Sequence, residues 1–595
     1  MERTIHNDNQ RTPKETMMRK ALKGFAVGLA VMIGVATSTG SAHAAACGDL
    51  NNSNSVTIGD ALLLLQVVAN PASGAALCGG AGATACGDMN QDGTISIADV
   101  VILLNFLAGN PTLLPICTGA GPVIACPGPA GTGPNGESWT GQATVSGNIS
   151  SSQIWPAGCR VNVDGLVFVQ DKVAVTIKPG AIVAGKNPPS PGTGGPSDVS
   201  ALIFLRGSKI IAKGTQAAPI LMQSSSHLDG GVGHPGDWGG LVLNGKGPVN
   251  CPGNQCLAEG LVGVPFGGTV TNDSSGILEF VRVEFSGKEL TPDNELNIIT
   301  MNGVGRGTVV DHVQANVGFD DCIESFGGNY TAKFLVASGC GDDMFDQQLG
   351  TTTLFQYGLG VYYQPIMQNA GNEGFEWDNN ENGADLLPRS NPKYCNFTVV
   401  GTKNQTDVGL ATQEFAALLR RGTSGVITNT IATKFRIKGV ELRDGSTASN
   451  ACDAGPVLHV GTADRPPLLV EHSLFFDNSF GSSGATTGAS NQATSNGSFT
   501  TPCTPAQFWS LLPSLDPAVP TNVGTDPGMT IIYGTGVPNA QTDFNQFKPT
   551  SPVVNTLAMD CKTIDPFFDT TNYIGAFDPA GTTWLTTPWI SLELQ

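Results

Sequence analysis

The chain has 595 residues and a formal net charge of −19, yet charged residues make up only 13% of it, against about 25% in typical globular proteins. Its 77 glycines and 38 prolines argue against a helical body and favour many short strands joined by turns. The length predicts more than one domain, or one domain plus a repetitive body. The acidic balance argues against nucleic acid as a partner.

The N-terminus has the pattern of a secretory signal peptide, which we predict for residues 1–44. Basic residues between Lys14 and Lys23 precede an apolar stretch at 25–36, and Ala42-His43-Ala44 forms a cleavage pattern. The apolar stretch is shorter than the roughly 20 residues needed to span a bilayer. The mature protein is therefore expected to be secreted, extracellular or at the cell surface, and not membrane-spanning. Cys47, after three alanines, leaves lipid anchoring open as an alternative.

A module that follows the signal peptide is duplicated. CGDLNNSNSVTIGDALLLLQVVA begins at Cys47, and CGDMNQDGTISIADVVILLNFLA begins 39 residues later at Cys86. The closing cysteines, Cys78 and Cys117, keep the same offset. Equally spaced cysteines in an exported protein predict disulfides, and the repeat favours Cys47–Cys78 and Cys86–Cys117.

Each copy of the module carries oxygen-bearing side chains at the spacing of a calcium loop. In the second copy Gly93 occupies the sharp turn, and the candidate ligands are Asp88, Asn90, Asp92, Thr94 through its carbonyl, Ser96 and Asp99. In the first copy they are Asp49, Asn51, Ser53, Ser55 and Asp60. Asn54 replaces the glycine there and carboxylates are fewer, so we expect weaker binding of Ca²⁺. The alternative is a polar turn that caps a helix.

Two loop–helix units, each ending in Asp at the twelfth position, resemble a type I dockerin. The resemblance implies a calcium-dependent fold for residues 45–117, with Ca²⁺ as cofactor, and an attachment role through a cohesin-like domain. The tenth and eleventh loop positions, which often contact cohesin, are Ile58-Gly59 and Ile97-Ala98, which departs from the usual pattern.

The remainder divides into a Gly/Pro-rich linker, predicted at residues 118–140, and a body of short strands at 141–595 with a C-terminal extension. Acidic boxes recur in the body: DDCIE at Asp320, DDMFD at Asp342 and NEGFEWDN at Asn372. The first two are 22 residues apart, about one turn of a parallel β-solenoid. Further disulfides are predicted for Cys251 with Cys256 and for Cys322 with Cys340.

The body is similar to large secreted bacterial proteins of the pectin-lyase-like fold. The segments that carry the resemblance are PGDWGGL at 235–241, GRGTVVDHVQANVGFDD at 305–321 and IGAFDP at 574–579. The fold class implied is mostly β: a right-handed parallel β-helix preceded by a small α-helical calcium-binding module. Such a family supplies a fold more than a function.

Stacked aspartates are the candidate catalytic residues of the body: Asp320, Asp321, Asp342 and Asp343. Neighbouring rungs lie about 4.8 Å apart, so these carboxylates could flank a sugar as a glycosidase requires. With Arg436-Ile437-Lys438 they resemble elements of polygalacturonases, although the Gly-His-Gly element of that family is missing. A calcium or ligand site and a purely structural role are the alternatives. Trp238 and Trp377 could contact sugars, but packing is the commoner role for such residues.

Two classes of function follow. The first is a secreted calcium-binding β-helix protein that binds or organises extracellular polysaccharide or surface proteins, with a dockerin-like attachment module. The second is a polysaccharide-cleaving hydrolase or lyase, similar to polygalacturonase or pectate lyase, that acts at the stacked carboxylates. The sequence favours the first class narrowly. It leaves open the polymer, the docking partner and self-assembly.

Overall fold

The computed structural model describes most of the chain beyond the predicted signal peptide, which lies outside the described residues. The described ranges are 48–107 (without 52, 54–55, 79–83, 88 and 90–94), 121–186, 198–291, 294–362, 372–402, 415–453, 457–458, 461–478, 493–495, 526–531 and 544–592. Among these residues, no helix has both the length and the apolar character that crossing a membrane requires.

The N-terminal module is built on two helices, Ile58–Ala69 and Ile97–Leu107, with short helical turns at Pro71–Gly74 and Thr84–Gly87. Its core pairs equivalent residues of the two copies: Ala61 with Val100, and Leu64 with Leu103, all buried. Each pair is separated by the 39-residue repeat, so the duplication in the sequence is also a duplication of the core.

The disulfide predicted within each copy of the module is wrong, because Cys78 pairs with Cys86. Backbone hydrogen bonds explain the pairing. The N–H of Gly48 donates to the carbonyl of Cys86, and the N–H of Cys78 donates to the carbonyl of Leu50. The start of each copy therefore lies beside the other copy, and the bond joins the two copies. Cys47 and Cys117 lie outside the described residues.

The body is a parallel β-helix, in which 25 described strands form one continuous sheet wound into three stacks. Five long strands, Gly276–Ser286, Val309–Gly318, Thr331–Ser338, Leu354–Val361 and Lys393–Val400, each contribute their first half to the first stack and their second half to the second stack. The first stack also contains Gln153–Trp155, Ala174–Ile177, Lys209–Lys213, Gly425–Thr428 and Leu468–Glu471.

The second stack begins with the first parts of Gly141–Ile149 and Cys159–Val169 and continues through Ile182–Gly185, Ile220–Ser224, Ile431–Thr433 and Leu474–Phe476. The third stack begins with the ends of the same two strands. It continues through Ala201–Phe204, Leu241–Asn244, Ile299–Asn302, Ile323–Phe326, Phe345–Gln348, Phe375–Asp378, Phe415–Arg420, Lys438–Leu442 and Ala493–Ser495.

Short elements decorate the coil. Four antiparallel pairs join Gly131–Thr132 with Ser138–Trp139, Cys256–Leu257 with Pro265–Phe266, Lys288–Thr291 with Asn294–Leu296, and Cys452–Asp453 with Val457–Leu458. Where the structure describes the body, its helices and helical turns are Ser225–Leu228, Pro252–Asn254, Gly445–Ala451, Phe544–Phe547, Val553–Thr556 and Cys561–Thr563.

Each long strand bends at a residue in the left-handed conformation. These residues are stacked from rung to rung, and their φ angles are 50° at Phe280, 52° at His312, 58° at Phe334, 63° at Tyr357 and 59° at Asn396. The ring centroids of the first four are 4.3, 4.4 and 4.8 Å apart. A residue in the left-handed conformation destabilises the fold by about 1–2 kcal/mol. Each aromatic pair stabilises it by about 0.5–1.5 kcal/mol, so the stacking offsets the strain of the bends.

The C-terminal segment, residues 544–592, covers one outer side of this coil. Asn396 and Asn429 each donate a side-chain hydrogen bond to its backbone, to the carbonyls of Tyr573 and Met559, both at 2.8 Å. Its apolar residues, among them Trp589 and Ile590, pack on outward-facing side chains of the second stack. The Cys395–Cys561 disulfide ties it to the coil.

Part of the predicted linker is ordered against the coil. Residues 121–139 contain the first antiparallel pair, and Cys126 forms a disulfide with Cys159 in the second stack. The sequence places these residues in the linker because Gly and Pro dominate them, but a disulfide can hold such a stretch without regular structure. The predicted disulfides Cys251–Cys256 and Cys322–Cys340 are confirmed.

Candidate functional site

An acidic groove of about 300 Å³ runs along the third stack. Most of its lining is carboxylate. The residues that line it are Glu259, Glu295, Asp320, Asp321, Glu324, Asp342, Asp343, Asp346, Gln348, Glu373, Glu376, Arg420 and Arg443.

One row of these carboxylates arises from strand register. Glu324 pairs with Asp346, and Asp346 pairs with Glu376, on three successive rungs. Side chains alternate across a strand, so Phe345 and Phe375 point into the core beside them while the acids point outward. The alternation of apolar and acidic residues after each acidic box thus builds a continuous row of charge.

A second row lies in the turns that precede the same strands. The carboxylate of Asp321 accepts the backbone N–H of Asp343 at 2.8 Å, and the carboxylate of Asp343 accepts the N–H of Glu373 at 2.6 Å. The Cys322–Cys340 disulfide joins the residue after Asp321 to the neighbouring turn. The turns are therefore fixed from rung to rung by side-chain and covalent links.

Burial raises the pKa of the groove carboxyls, because the charged form loses its solvation. Desolvation is the largest cause for each of Asp321, Glu324, Asp342, Asp343, Asp346, Glu373 and Glu376. Repulsion adds to it: the Asp320 charge raises the pKa of Asp321, and the Asp346 charge raises that of Glu324. At the rim, burial and the Glu295 charge raise the pKa of Glu259 to about 7. The groove is therefore unstable as a set of unneutralised anions.

The arrangement of the carboxylates suits a cation. Three triads each offer oxygens within 4.8 Å of one another: Asp320 with Asp321 and Asp342, Asp321 with Asp343 and Asp346, and Asp342 with Asp343 and Glu373. Calcium binds oxygens at about 2.3–2.6 Å, so two ligands on opposite sides of the ion are separated by roughly this distance.

Three buried oxygens in these triads accept no hydrogen bond from the described residues: Oδ1 of Asp342, Oδ1 of Asp346 and Oε1 of Glu373. A buried acceptor without a partner costs about 1–3 kcal/mol. A hard divalent cation would satisfy such oxygens and would also relieve the repulsion, so the residues fit calcium.

Arginines close one end of the groove. Nε of Arg420 donates to Asp378 at 2.8 Å, and its guanidinium also contacts Glu376. Arg421 donates to Asp378 at 2.6 Å. Burial lowers the pKa of Arg420, but its ion pairs with Glu376 and Asp378 together outweigh burial and raise the pKa, so Arg420 stays charged. Charge along the groove thus changes from unneutralised carboxylates to paired ones.

All four aspartates predicted as catalytic candidates lie in the groove. Four further acidic residues of the groove were not predicted as site residues, although the acidic boxes contain them: Glu324, Asp346, Glu373 and Glu376. Neither Arg436 nor Lys438 lines the groove. The segment that resembles the arginine-containing element of polygalacturonases therefore does not contribute these side chains to the candidate site. Trp238 and Trp377 are fully buried, which excludes sugar stacking and confirms packing.

In the dockerin-like loops, the described candidate ligands accept hydrogen bonds from the loop backbone. In the first loop, Asp49 is fully buried and accepts the N–H of Ser53 at 2.8 Å, while Asp60 accepts that of Asn51 at 3.2 Å. In the second loop, Asp99 is also buried and accepts the N–H groups of Met89 and Ser96 at 2.6 and 2.8 Å. Ser55, Asp88, Asn90, Asp92 and Thr94 lie outside the described residues.

The parallel coil with its carboxylate-lined groove, preceded by a duplicated loop–helix module, defines a class: a β-helix protein that carries a dockerin. A model of the pectate-lyase-like β-helix domain family matches residues 147–463, and the chain belongs to this family. A type I dockerin model matches residues 47–108. Both resemblances predicted from the sequence are confirmed. No curated protein and no solved structure matches the chain.

Type I dockerin domains bind calcium, which supports Ca²⁺ as a cofactor of the N-terminal module. The two domains together are typical of extracellular proteins and support a polysaccharide-related function.

Proposed function

We propose that this protein is a dockerin-borne, calcium-dependent polysaccharide-binding β-helix whose acidic groove holds divalent cations and the polymer. The observation that carries the proposal is the set of buried groove oxygens without hydrogen-bond partners, on Asp342, Asp346 and Glu373. They lie in triads whose spacing suits a hard cation. Bound cations would present positive charge to a polymer that the carboxylates alone would repel.

The chemistry of the chain's own residues follows from their positions. Asp321 and Asp343 hold the turns through backbone hydrogen bonds, while Asp342, Asp346 and Glu373 offer free oxygens. Calcium would supply charge neutralisation and oxygen coordination. The linear row of carboxylates, one per rung, matches an extended ligand better than a compact one.

The attachment role is assigned to the N-terminal module. A type I dockerin implies a cohesin partner, and both helices carry exposed apolar side chains at equivalent places: Ile58, Leu62 and Leu65 on the first helix, and Ile97, Val101 and Leu104 on the second. We infer that these faces bind cohesin and that the apolar residues at Ile58 and Ile97 select an apolar surface on it.

Cleavage of the polysaccharide is the second candidate function. The raised pKa of the groove carboxyls favours it, because a carboxyl that stays protonated near neutral pH can act as a general acid. The close triads argue against it, since the paired carboxyls of glycosidases lie about 5–5.5 or 6.5–9.5 Å apart.

The test is retention of the mature protein on a panel of insoluble polysaccharides, with calcium and with chelator. New reducing ends and unsaturated products are followed in the same samples. We expect calcium-dependent retention on at least one polymer that Asp346→Asn weakens. Asp164→Asn, at an exposed carboxylate paired with Lys186 outside the groove, is the matched control and should bind normally.

Retention that is equal with and without calcium would refute the cation role. Products that appear with the wild type and disappear with Asp346→Asn would make the protein an enzyme instead. Binding to no polymer in the panel would remove the proposal for the groove.

A further inference from the structure

A second cavity, of about 410 Å³, lies where three parts of the chain meet. We call it the junction cavity. Its walls include Glu137 from the first antiparallel pair, Ile182, Leu221 and Arg282 from the second stack, and Phe544 and Ser591 from the C-terminal segment. None of these residues lines the acidic groove. Its volume falls within the range of about 300–1,000 Å³ found for small-molecule sites.

Arg282 is the main polar group of this cavity, and it is about 94% buried, with 6% of its surface exposed. Its Nε donates to Glu284 at 2.8 Å and its Nη1 donates to the carbonyl of Pro588 at 3.0 Å. Within the described residues, Nη2 has no acceptor. Because Arg282 lines the cavity, this N–H group is available to donate to an oxygen of a bound molecule.

The charges around Arg282 indicate that this molecule is neutral. Glu284 neutralises the guanidinium and also accepts a hydrogen bond from Asn316 at 2.8 Å. Glu137, which also lines the cavity, accepts from the N–H of Asn135 and from Gln223 at 2.9 and 3.2 Å. An anion would meet two carboxylates for one guanidinium, and a cation would meet carboxylates whose oxygens are already engaged.

The rest of the lining includes both hydroxyl-bearing and apolar residues. Ser138, Thr587 and Ser591 carry hydroxyls, while Ile182, Leu221 and Phe544 are apolar. A pyranose ring has the complementary chemistry, with hydroxyls around its edge and C–H groups on its faces. A hydroxyl oxygen of such a ring is an acceptor that Nη2 of Arg282 can use.

We propose that the junction cavity binds one neutral sugar ring, held by Arg282 and seated against Phe544. This site goes beyond the groove: it uses different strands, needs no cation and recognises a single ring. It gives the coil a second point of contact with carbohydrate that does not depend on calcium.

The experiment uses the full mature chain in chelator, so that the proposed cation sites hold no calcium. Glucose, galactose, mannose, xylose and cellobiose are tested separately by saturation-transfer NMR and titration calorimetry. At least one should bind. Ala217→Trp places an indole at an exposed position on the cavity rim, and Arg282→Gln removes the donor. Arg282→Gln should weaken binding by about tenfold or more, the worth of a hydrogen bond to a charged group, and Ala217→Trp should weaken it at least as much because the indole obstructs the cavity.

Val262→Trp adds the same indole at a fully exposed position away from the cavity and should leave binding unchanged. If Arg282→Gln does not fold, Ala217→Trp decides the question, because it leaves the Arg282 contacts intact. Absence of binding by all five sugars, or wild-type affinity in the folded cavity variants, would overturn the proposal. Because calcium is absent throughout, neither result bears on the groove.

Discussion

Two carboxylates of the acidic groove, Asp343 and Asp346, differ in the contacts that they make. Asp343 both accepts a backbone N–H from the next turn and contributes to the candidate cation triads. Asp346 contributes to a triad and keeps one buried oxygen without a hydrogen bond. Replacing Asp343 therefore disturbs the turn as well as the charge, whereas replacing Asp346 changes mainly the charge. This difference is why Asp346→Asn is the more informative variant.

Asp99 provides the residue-scale prediction for the N-terminal module. Asp99→Ala removes the residue that we propose as the last ligand of the second loop, and we expect the calcium-dependent rise in the melting temperature of the module to be lost. Calcium at about 100 times its Kd contributes about 2.7 kcal/mol. Thermal unfolding of the full chain with calcium and with chelator measures it. Asp60→Ala, in the loop expected to bind more weakly, should have the smaller effect, and a wild-type response in Asp99→Ala would contradict the assignment.

The sequence predicts part of the groove and misses the remainder for a physical reason. Asp320 and Asp342 are recognisable because their boxes repeat after 22 residues. Glu376 follows Asp346 by 30 residues, since the turn between their rungs is longer. A fixed repeat period in the sequence therefore does not show that Asp346 and Glu376 are neighbours. The strand pairing in the structure shows it. The disulfide pairing predicted for the dockerin-like module is wrong for a different reason. The equal offset between its cysteines shows that the module is repeated, but it does not identify the partner of each cysteine.

At the level of elements, the bends of the long strands show how tertiary packing overrides residue preference. Left-handed conformations usually favour Gly and Asn, so Asn396 is the residue type that sequence reasoning would choose. Phe280, His312 and Phe334 have the same conformation and carry no local signal for it. Their rings stack on one another, and this stack exists only once the rungs are in register.

The two helices of the N-terminal module give an element-scale prediction. Because Ile58 and Ile97 occupy equivalent exposed places on the two helices, either face should suffice for a cohesin partner. We expect Ile58→Asp and Ile97→Asp singly to reduce binding to immobilised cohesin domains by less than the double variant, which should abolish it. A single variant that abolishes binding would show that one face alone is used.

The whole molecule combines a low overall charge density with a strong local concentration of carboxylates. Only 13% of residues are charged, yet ten carboxylate side chains line one groove of about 300 Å³. The coil tolerates this because hydrogen bonds, the Cys322–Cys340 disulfide and stacked cores fix the backbone beneath. Its stability should therefore respond to whatever neutralises the groove.

Protons and calcium should each be able to neutralise the groove carboxylates, so that one can replace the other. Folding raises the pKa of groove carboxyls such as Asp321 and Glu324 above their ordinary values of 3.8 and 4.5. Above that range the folded state holds more protons than the unfolded state, so the free energy of unfolding should fall as pH rises. We expect the melting temperature in chelator to fall from pH about 5 to about 8, the side on which these raised pKa values lie.

Calcium should reduce the dependence of the melting temperature on pH. In chelator, Asp346→Asn should also reduce this dependence, whereas Asp164→Asn, at an exposed carboxylate, should leave it unchanged. Scanning calorimetry across pH measures the slope. A melting temperature in chelator that rises over this range would contradict the raised pKa values.

The C-terminal segment is the last described part of the chain to be translated. The outward face that it covers, formed by residues such as Val336, Leu359 and Val400, is translated before it, so a coil that folds first lacks this cover. During that interval the nascent coil presents an apolar strip, which is the kind of surface that promotes aggregation. The Cys395–Cys561 disulfide links the coil to the segment that covers the strip, so a thiol probe would distinguish chains in which this bond has formed from chains in which it has not.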